Sequence, residues 1–249
     1  MTSTGQMPGA DRLIVALDVP TVEAAVAAVQ ALDNVSFFKV GLQLFMTGGL
    51  PALLQSLRDR RVFVDLKLPG DISNTIRAVI DMCYEHRVAL LTLSDSMPPA
   101  AIRVAAAARD AHHGFDLKLL SVPFLSSLDT DDLVETTGTT DDLETYVLKR
   151  AKRAVDAGCD GVIASGDAIK WCRTAFPRPT LVVSPGIRPG GAAPDDQKRH
   201  TTPADAVRLG ADYLVVGRPI LRASDPRAAA GRVIAEIDAA LVSLPRVGE

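Results

Sequence analysis

The sequence predicts a single eight-stranded β/α barrel of the TIM type, and three observations carry that prediction. Eight short, β-rich apolar runs are separated by helix-period segments, which implies parallel strands joined by right-handed crossovers. The length, 249 residues, is the usual size of that barrel. No linker-like change of composition divides the chain, so residues 1–249 are expected to form one domain, with 1–10 as a flexible tail.

In chain order, LIVALD (13–18) is the first run and VEAAVAAVQAL (22–32) its helix. FFKVGL (37–42) and VFVDLKL (62–68) follow, then the amphipathic ISNTIRAVIDMCYEH (72–86). ALLTLS (89–94) precedes AAIRVAAAARDAHH (100–113), and LKLLSV (117–122) precedes ETYVLKRAKRAVDAG (144–158). GVIAS (161–165), TLVVSP (180–185) and YLVVGR (213–218) complete the strands, and PRAAAGRVIAEIDAALVSL (226–244) closes the chain as a helix. Thr202-Pro203 and Asp225-Pro226 read as N-caps with proline at the first helical position. Two segments read as long polar loops, 126–142 and 186–203. Both follow strands, on the face where barrel active sites sit.

Composition removes several function classes. Lys plus Arg is 27 against 30 Asp plus Glu, a net charge of −3, unlike a general nucleic-acid binder. No nucleic-acid or membrane partner is expected. No apolar run reaches the ~18 residues of a bilayer span, and the first residues lack the apolar core of a signal peptide. Cys83, Cys159 and Cys172 form no CxxC pair, and the four histidines show no metal-ligand spacing. A cytoplasmic protein without disulfide, metal site or organic cofactor is expected.

Charges inside apolar strands are the strongest functional signal, because a buried ion is costly unless paired. Asp18 ends the first strand and Lys39 lies inside the second. Asp65 and Lys67 lie two apart in the third, on one face, and Asp71 follows the Pro69-Gly70 bend. A purely structural ion-pair network is the bland alternative, and five such residues on three adjacent strands argue against it. A lysine flanked by carboxylates keeps its charge. It suits a developing carbanion, as counter-charge and then proton donor, better than it suits Schiff-base chemistry. A second concentration lies after strands 7 and 8. SPGIRPGG (184–191) carries Pro185 and Arg188, DDQKR (195–199) carries Gln197, and GRP (217–219) offers Gly217 and Arg218. That is the usual phosphate site of such barrels, where amides and an arginine fork match phosphate oxygens.

Taken together, ALDVP (16–20), FKVG (38–41), VDLKLPGDISNT (64–75), SPGIRP (184–189) and GADYLVVGRPI (210–220) resemble the orotidine 5′-phosphate decarboxylase family, over nearly the whole chain. The resemblance implies decarboxylation of orotidine 5′-monophosphate to UMP. It places Asp18 and Lys39 at the ribose. Asp65, Lys67 and Asp71 form the catalytic array, with Lys67 protonating C6. Asn74 and Thr75 belong to the stretch lining the substrate site, Ser126 or Ser127 meets the pyrimidine, and Arg188, Gln197, Gly217 and Arg218 hold the phosphate. It also implies a homodimer in which Asp71 and Thr75 reach the partner's site. Two departures stand out. The family's D-x-K-x-x-D spacing is one residue longer here, between Lys67 and Asp71, and a bulge at Gly70 is expected to absorb it. Ser94-Asp95 stands where the family often has His-Ala. The alternatives are a magnesium-dependent sugar-phosphate decarboxylase or synthase of the same superfamily, and a barrel that binds a nucleotide without catalysis.

Overall fold

The computed structural model describes residues 7–69, 74–94, 96–125, 130–190 and 201–244. Asp71, Ser126, Ser127 and Gln197, and the side chain of Asn74, lie outside the described residues.

The eight expected strands are all present: β1 (Leu13–Ala16), β2 (Phe37–Gly41), β3 (Arg61–Leu68), β4 (Val88–Leu93), β5 (Lys118–Ser121), β6 (Gly161–Ile163), β7 (Leu181–Ser184) and β8 (Tyr213–Val216). They pair in parallel in sequence order, and β8 closes on β1 through Leu13, Ile14 and Val15. The helices are α1 (Gly9–Arg12), α2 (Val22–Ala31), α3 (Leu42–Met46), α4 (Leu50–Ser56), α5 (Asn74–Glu85), α6 (Pro99–Asp110), α7 (Thr130–Thr137), α8 (Leu143–Asp156), α9 (Ala168–Ala175), α10 (Pro203–Leu209), α11 (Arg218–Leu221) and α12 (Pro226–Ser243).

Strand alternation builds two cores. Ile14, Phe37, Phe63, Leu90, Leu120, Val183 and Tyr213 point into the barrel. Leu13, Val15, Phe38, Val64, Leu91 and Leu119 point outward, against the helices. Arg61 closes the amino-terminal floor: its guanidinium lies 4.1 Å from the centre of the Phe37 ring and donates to the Tyr213 hydroxyl at 2.9 Å. The expected caps form. Thr202 accepts from the Asp205 amide, and Asp225 from the Ala228 amide, at 3.1 and 2.9 Å.

One clasp occurs twice on the amino-terminal side. Gly158 and Gly210 take left-handed conformations, with φ of 113° and 105°, and an aspartate follows two residues later. The Asp160 carboxylate accepts from Arg109 and from the Leu119 amide, and the Asp212 carboxylate accepts from Arg173 and from the Val182 amide. Each arginine also donates to the carbonyl of the glycine in its own clasp. Each aspartate, Asp212 buried and Asp160 half-buried, thereby fastens a helix to the start of the preceding strand.

Two expectations are corrected. The 126–142 segment contains α7, whose first turn carries Asp131 and Asp132 at the positive end of the helix. It reads as loop because, of its residues, Leu133 alone is buried. Gly9 and Ala10, expected within a flexible 1–10 tail, belong to α1, and the Gly9 amide donates to Asp238 of α12 at 2.7 Å.

Candidate active site

A cavity of about 260 Å³ opens at the carboxyl ends of the strands. Its floor is apolar, formed by Ala16, Phe63, Val122, Ile163 and Val215. One wall carries Asp18, Lys39, Asp65 and Lys67, and the other carries Pro185, Arg188, Gly217 and Arg218. Eight of the expected residues therefore meet in one cavity.

The charged wall is a continuous chain. Lys39 points inward, as Phe37 does two residues earlier, and is buried. Its Nζ lies 3.1 Å from Asp18 Oδ1 and 3.5 Å from Asp65 Oδ2. Lys67 Nζ lies 3.0 Å from Asp65 Oδ1. Burial pushes the Asp65 carboxyl up, but Lys39, Lys67 and a hydrogen bond from Thr92 outweigh it and hold the group below its ordinary value. Asp65 therefore stays ionised at neutral pH and holds the two ammonium groups apart. Gly41 makes room for this. A Cβ there would sit 3.2 Å from Lys39 Nζ, close enough to press on the ammonium, and 3.6 Å from Asp18 Oδ1, in ordinary contact.

Asp65 and Lys67 meet by a route that differs from simple alternation. Val64 pairs with Leu91 and Leu68 with Leu93, so β3 carries two extra residues opposite β4. The bulge lies across Asp65–Lys67, and Lys67 takes a left-handed φ of 48°, rare for a residue with a side chain. Gly70, where the compensating bulge was expected, is outside the described residues. Thr92 fills the gap in the ladder: its hydroxyl accepts from the Lys67 amide at 2.9 Å and donates to Asp65 Oδ1 at 2.8 Å. Thr92 was missed from the sequence, although it is the one polar residue in the VALLTL strand. Thr92→Val removes both bonds. It is expected to lower kcat about ten-fold, the worth of one or two hydrogen bonds, with KM little changed. Thr92→Ser should restore the rate. An unaltered kcat in the valine variant, measured alongside its melting temperature, would confine Thr92 to a structural role.

The other wall is built from turns. Gly186 is left-handed, with φ of 75°. Ile187 and Thr201 form a parallel bridge, and the Arg188 amide donates to the Thr201 carbonyl at 2.9 Å. The two ends of the segment containing Gln197 are thus tied together beside the cavity. Gly217 precedes α11 and sits against the first strand, where a Cβ would lie 3.5 Å from Asp18 Oδ2. Arg218 is the first residue of α11. Thr75, the second residue of α5, is exposed and is not part of the described lining of this cavity.

Comparison with known proteins agrees with this geometry. The model of the "Orotidine 5′-phosphate decarboxylase / HUMPS family" matches residues 11–233. The chain belongs to that family. Proteins called orotidine 5′-phosphate decarboxylase in Ruegeria pomeroyi and Methylococcus capsulatus are each 45% identical to it, over 91% and 94% of this chain and 94% and 95% of theirs. The crystal structure of orotidine 5′-phosphate decarboxylase from Lactobacillus acidophilus superposes with a TM-score of 0.76 at 31% identity, covering 91% of this chain and 98% of that one. The matched region of the orotidine 5′-phosphate decarboxylase / HUMPS family holds every residue of both cavity walls.

Proposed function

We propose that the chain decarboxylates orotidine 5′-monophosphate to UMP and carbon dioxide in pyrimidine biosynthesis, without metal or organic cofactor. The Asp18–Lys39–Asp65–Lys67 chain facing two arginines across one cavity carries this reading. The nucleotide lies with its phosphate at Arg188 and Arg218, and its base toward Lys67. The bond from C6 to the carboxylate breaks, carbon dioxide leaves, and the electron pair stays on C6. The Lys67 ammonium is a fixed counter-charge for that pair, and preorganised charge of this kind is usually the largest catalytic contribution. Lys67 then donates a proton to C6, giving UMP. An ionised Asp65 beside the substrate carboxylate is relieved when carbon dioxide departs. Lys39 and Asp18 hold the ribose.

The phosphate wall is remote from C6, so its binding energy acts on positioning and closure. Arg218→Ala is expected to weaken UMP binding by about 1.5–3 kcal/mol, the range for a hydrogen bond to a charged group. Calorimetric titration with UMP checks it, and an unchanged affinity would remove Arg218 from the phosphate site. The reaction itself is tested by mixing purified protein and orotidine 5′-monophosphate in chelator and following the orotate absorbance. Turnover that requires magnesium would end the metal-free reading, and no turnover with or without it would turn the assignment to a sugar-phosphate enzyme of the same superfamily.

The active unit is a homodimer, with Asp71 and Thr75 completing the neighbouring site, in the cytoplasm. Two observations support the dimer. Thr75 is exposed and outside the cavity lining of its own chain, and α3, packed beside β3, shows Leu42, Phe45 and Met46 to solvent.

A further inference from the structure

A second, smaller pocket of about 160 Å³ lies behind β5, between the first turn of α6 and the carboxyl-terminal half of α8. β5 separates it from the catalytic cavity: Ser121 faces the small pocket, and Val122, the next residue, lines the large one.

Its lining is electropositive and rich in unused donors. Ser121 is only 5% exposed, and its hydroxyl makes no hydrogen bond to a described residue. Arg150 Nε is buried without an acceptor, and the guanidinium is 5.4 Å from the centre of the Tyr146 ring. Arg153 lies one helical turn further along α8 and lines the same pocket. Among the described residues, no carboxylate pairs with either arginine. The twelve-residue α6 begins at the rim with prolines at positions 98 and 99. It has no side-chain cap and no acidic residue in its first turn, but Pro99 has no N–H and the Ala101 and Ile102 amides already donate to the Pro98 carbonyl, so the helix end adds little beyond its positive pole. Ser96 lies at the rim, its hydroxyl already 2.9 Å from that of Ser94. A buried donor left unsatisfied costs free energy, and here the Arg150 Nε lacks an acceptor at a void that Ser121 and Arg153 also line.

We propose that this pocket binds a phosphate-type oxyanion, free or as a small ester, separately from the nucleotide cavity. A tetrahedral dianion accepts from the Arg150 fork, from Arg153 and from Ser121, and it supplies the negative charge the lining lacks. Apolar Ile102 and Met97 leave little room for more than the oxyanion and a short carbon chain.

The experiment titrates the whole protein, first saturated with UMP to fill the catalytic cavity, with inorganic phosphate and in parallel with glycerol 3-phosphate. Phosphorus NMR or calorimetry reads the binding. One further equivalent per chain is expected. Preference for inorganic phosphate marks a free ion, and preference for the ester marks a phosphorylated metabolite. Arg150→Leu should weaken that equivalent ten-fold or more, through loss of a charge-assisted hydrogen bond. Ser121→Ala should weaken it several-fold, and Arg150→Lys should fall between. All three should keep wild-type turnover and melting temperature in phosphate-free buffer, which separates loss of binding from loss of fold. UMP binding is established by its own titration, so failure of the nucleotide assignment is seen separately. No second equivalent, or one indifferent to Arg150→Leu and Ser121→Ala, overturns the proposal. So does an Arg150→Leu variant that shifts the monomer–dimer balance with no phosphate bound, which would put a side chain of a second copy in the pocket.

Discussion

Lys67→Ala is expected to lower kcat by about 10⁴-fold or more while leaving the barrel folded. Two contributions vanish together: proton donation, worth about 10²–10⁴, and a fixed charge at the developing anion, worth about 10²–10³. The fold should survive because Lys67 is 43% exposed and Asp65 keeps Lys39 and Thr92 as partners. The readout is the orotate absorbance with and without the variant, beside a thermal melt of each. Near-normal turnover in a folded Lys67→Ala protein would end the mechanism. A fall in kcat with UMP affinity intact would place the loss in the transition state rather than in ground-state binding.

Asp212→Ala is expected to cost the fold about 3–5 kcal/mol, the penalty for leaving one partner of a buried ion pair uncompensated. Asp212 is 8% exposed and pairs with both Arg173 and Arg178. Burial pushes the Arg173 guanidinium below its ordinary value, with Asp212 opposing that shift. Without Asp212, the Val182 amide also loses its acceptor. At about 2–4 °C per kcal/mol for a chain of this size, the melting temperature should fall by roughly 6–20 °C. The matching Asp160→Ala should cost less, because Asp160 is 22% exposed and water can replace part of what is lost. Thermal melts of the two variants settle this. A drop for Asp212→Ala below about 1 kcal/mol would reduce the clasp to a surface ion pair.

The barrel was legible because its strands are buried on both faces and stand out as apolar runs against helix-period segments. The charged wall was legible for the opposite reason: Lys39, Asp65 and Lys67 have no place in such strands without a function or a partner. Thr92 and Gly41 were harder to see. A threonine is ordinary in a strand, and only the two-residue bulge of β3 turns its hydroxyl into a bridge between Asp65 and the Lys67 backbone. Gly41 matters because two side chains from other positions converge on the space where its Cβ would be, and linear spacing does not encode that. The short helices α3 and α4 escaped because neither shows enough turns to establish a period. α7 escaped because so little of it is buried.

The left-handed backbone at Lys67 sets evolution and engineering against each other at one position. A side chain in that conformation disfavours the folded chain by about 1–2 kcal/mol, and glycine would not. That strain works against the very lysine proposed to protonate C6, and the ion pair to Asp65 offsets part of it. A thermostable library of this barrel drawn without an activity screen should therefore admit glycine at 67, whereas selection for turnover should keep the lysine despite its backbone.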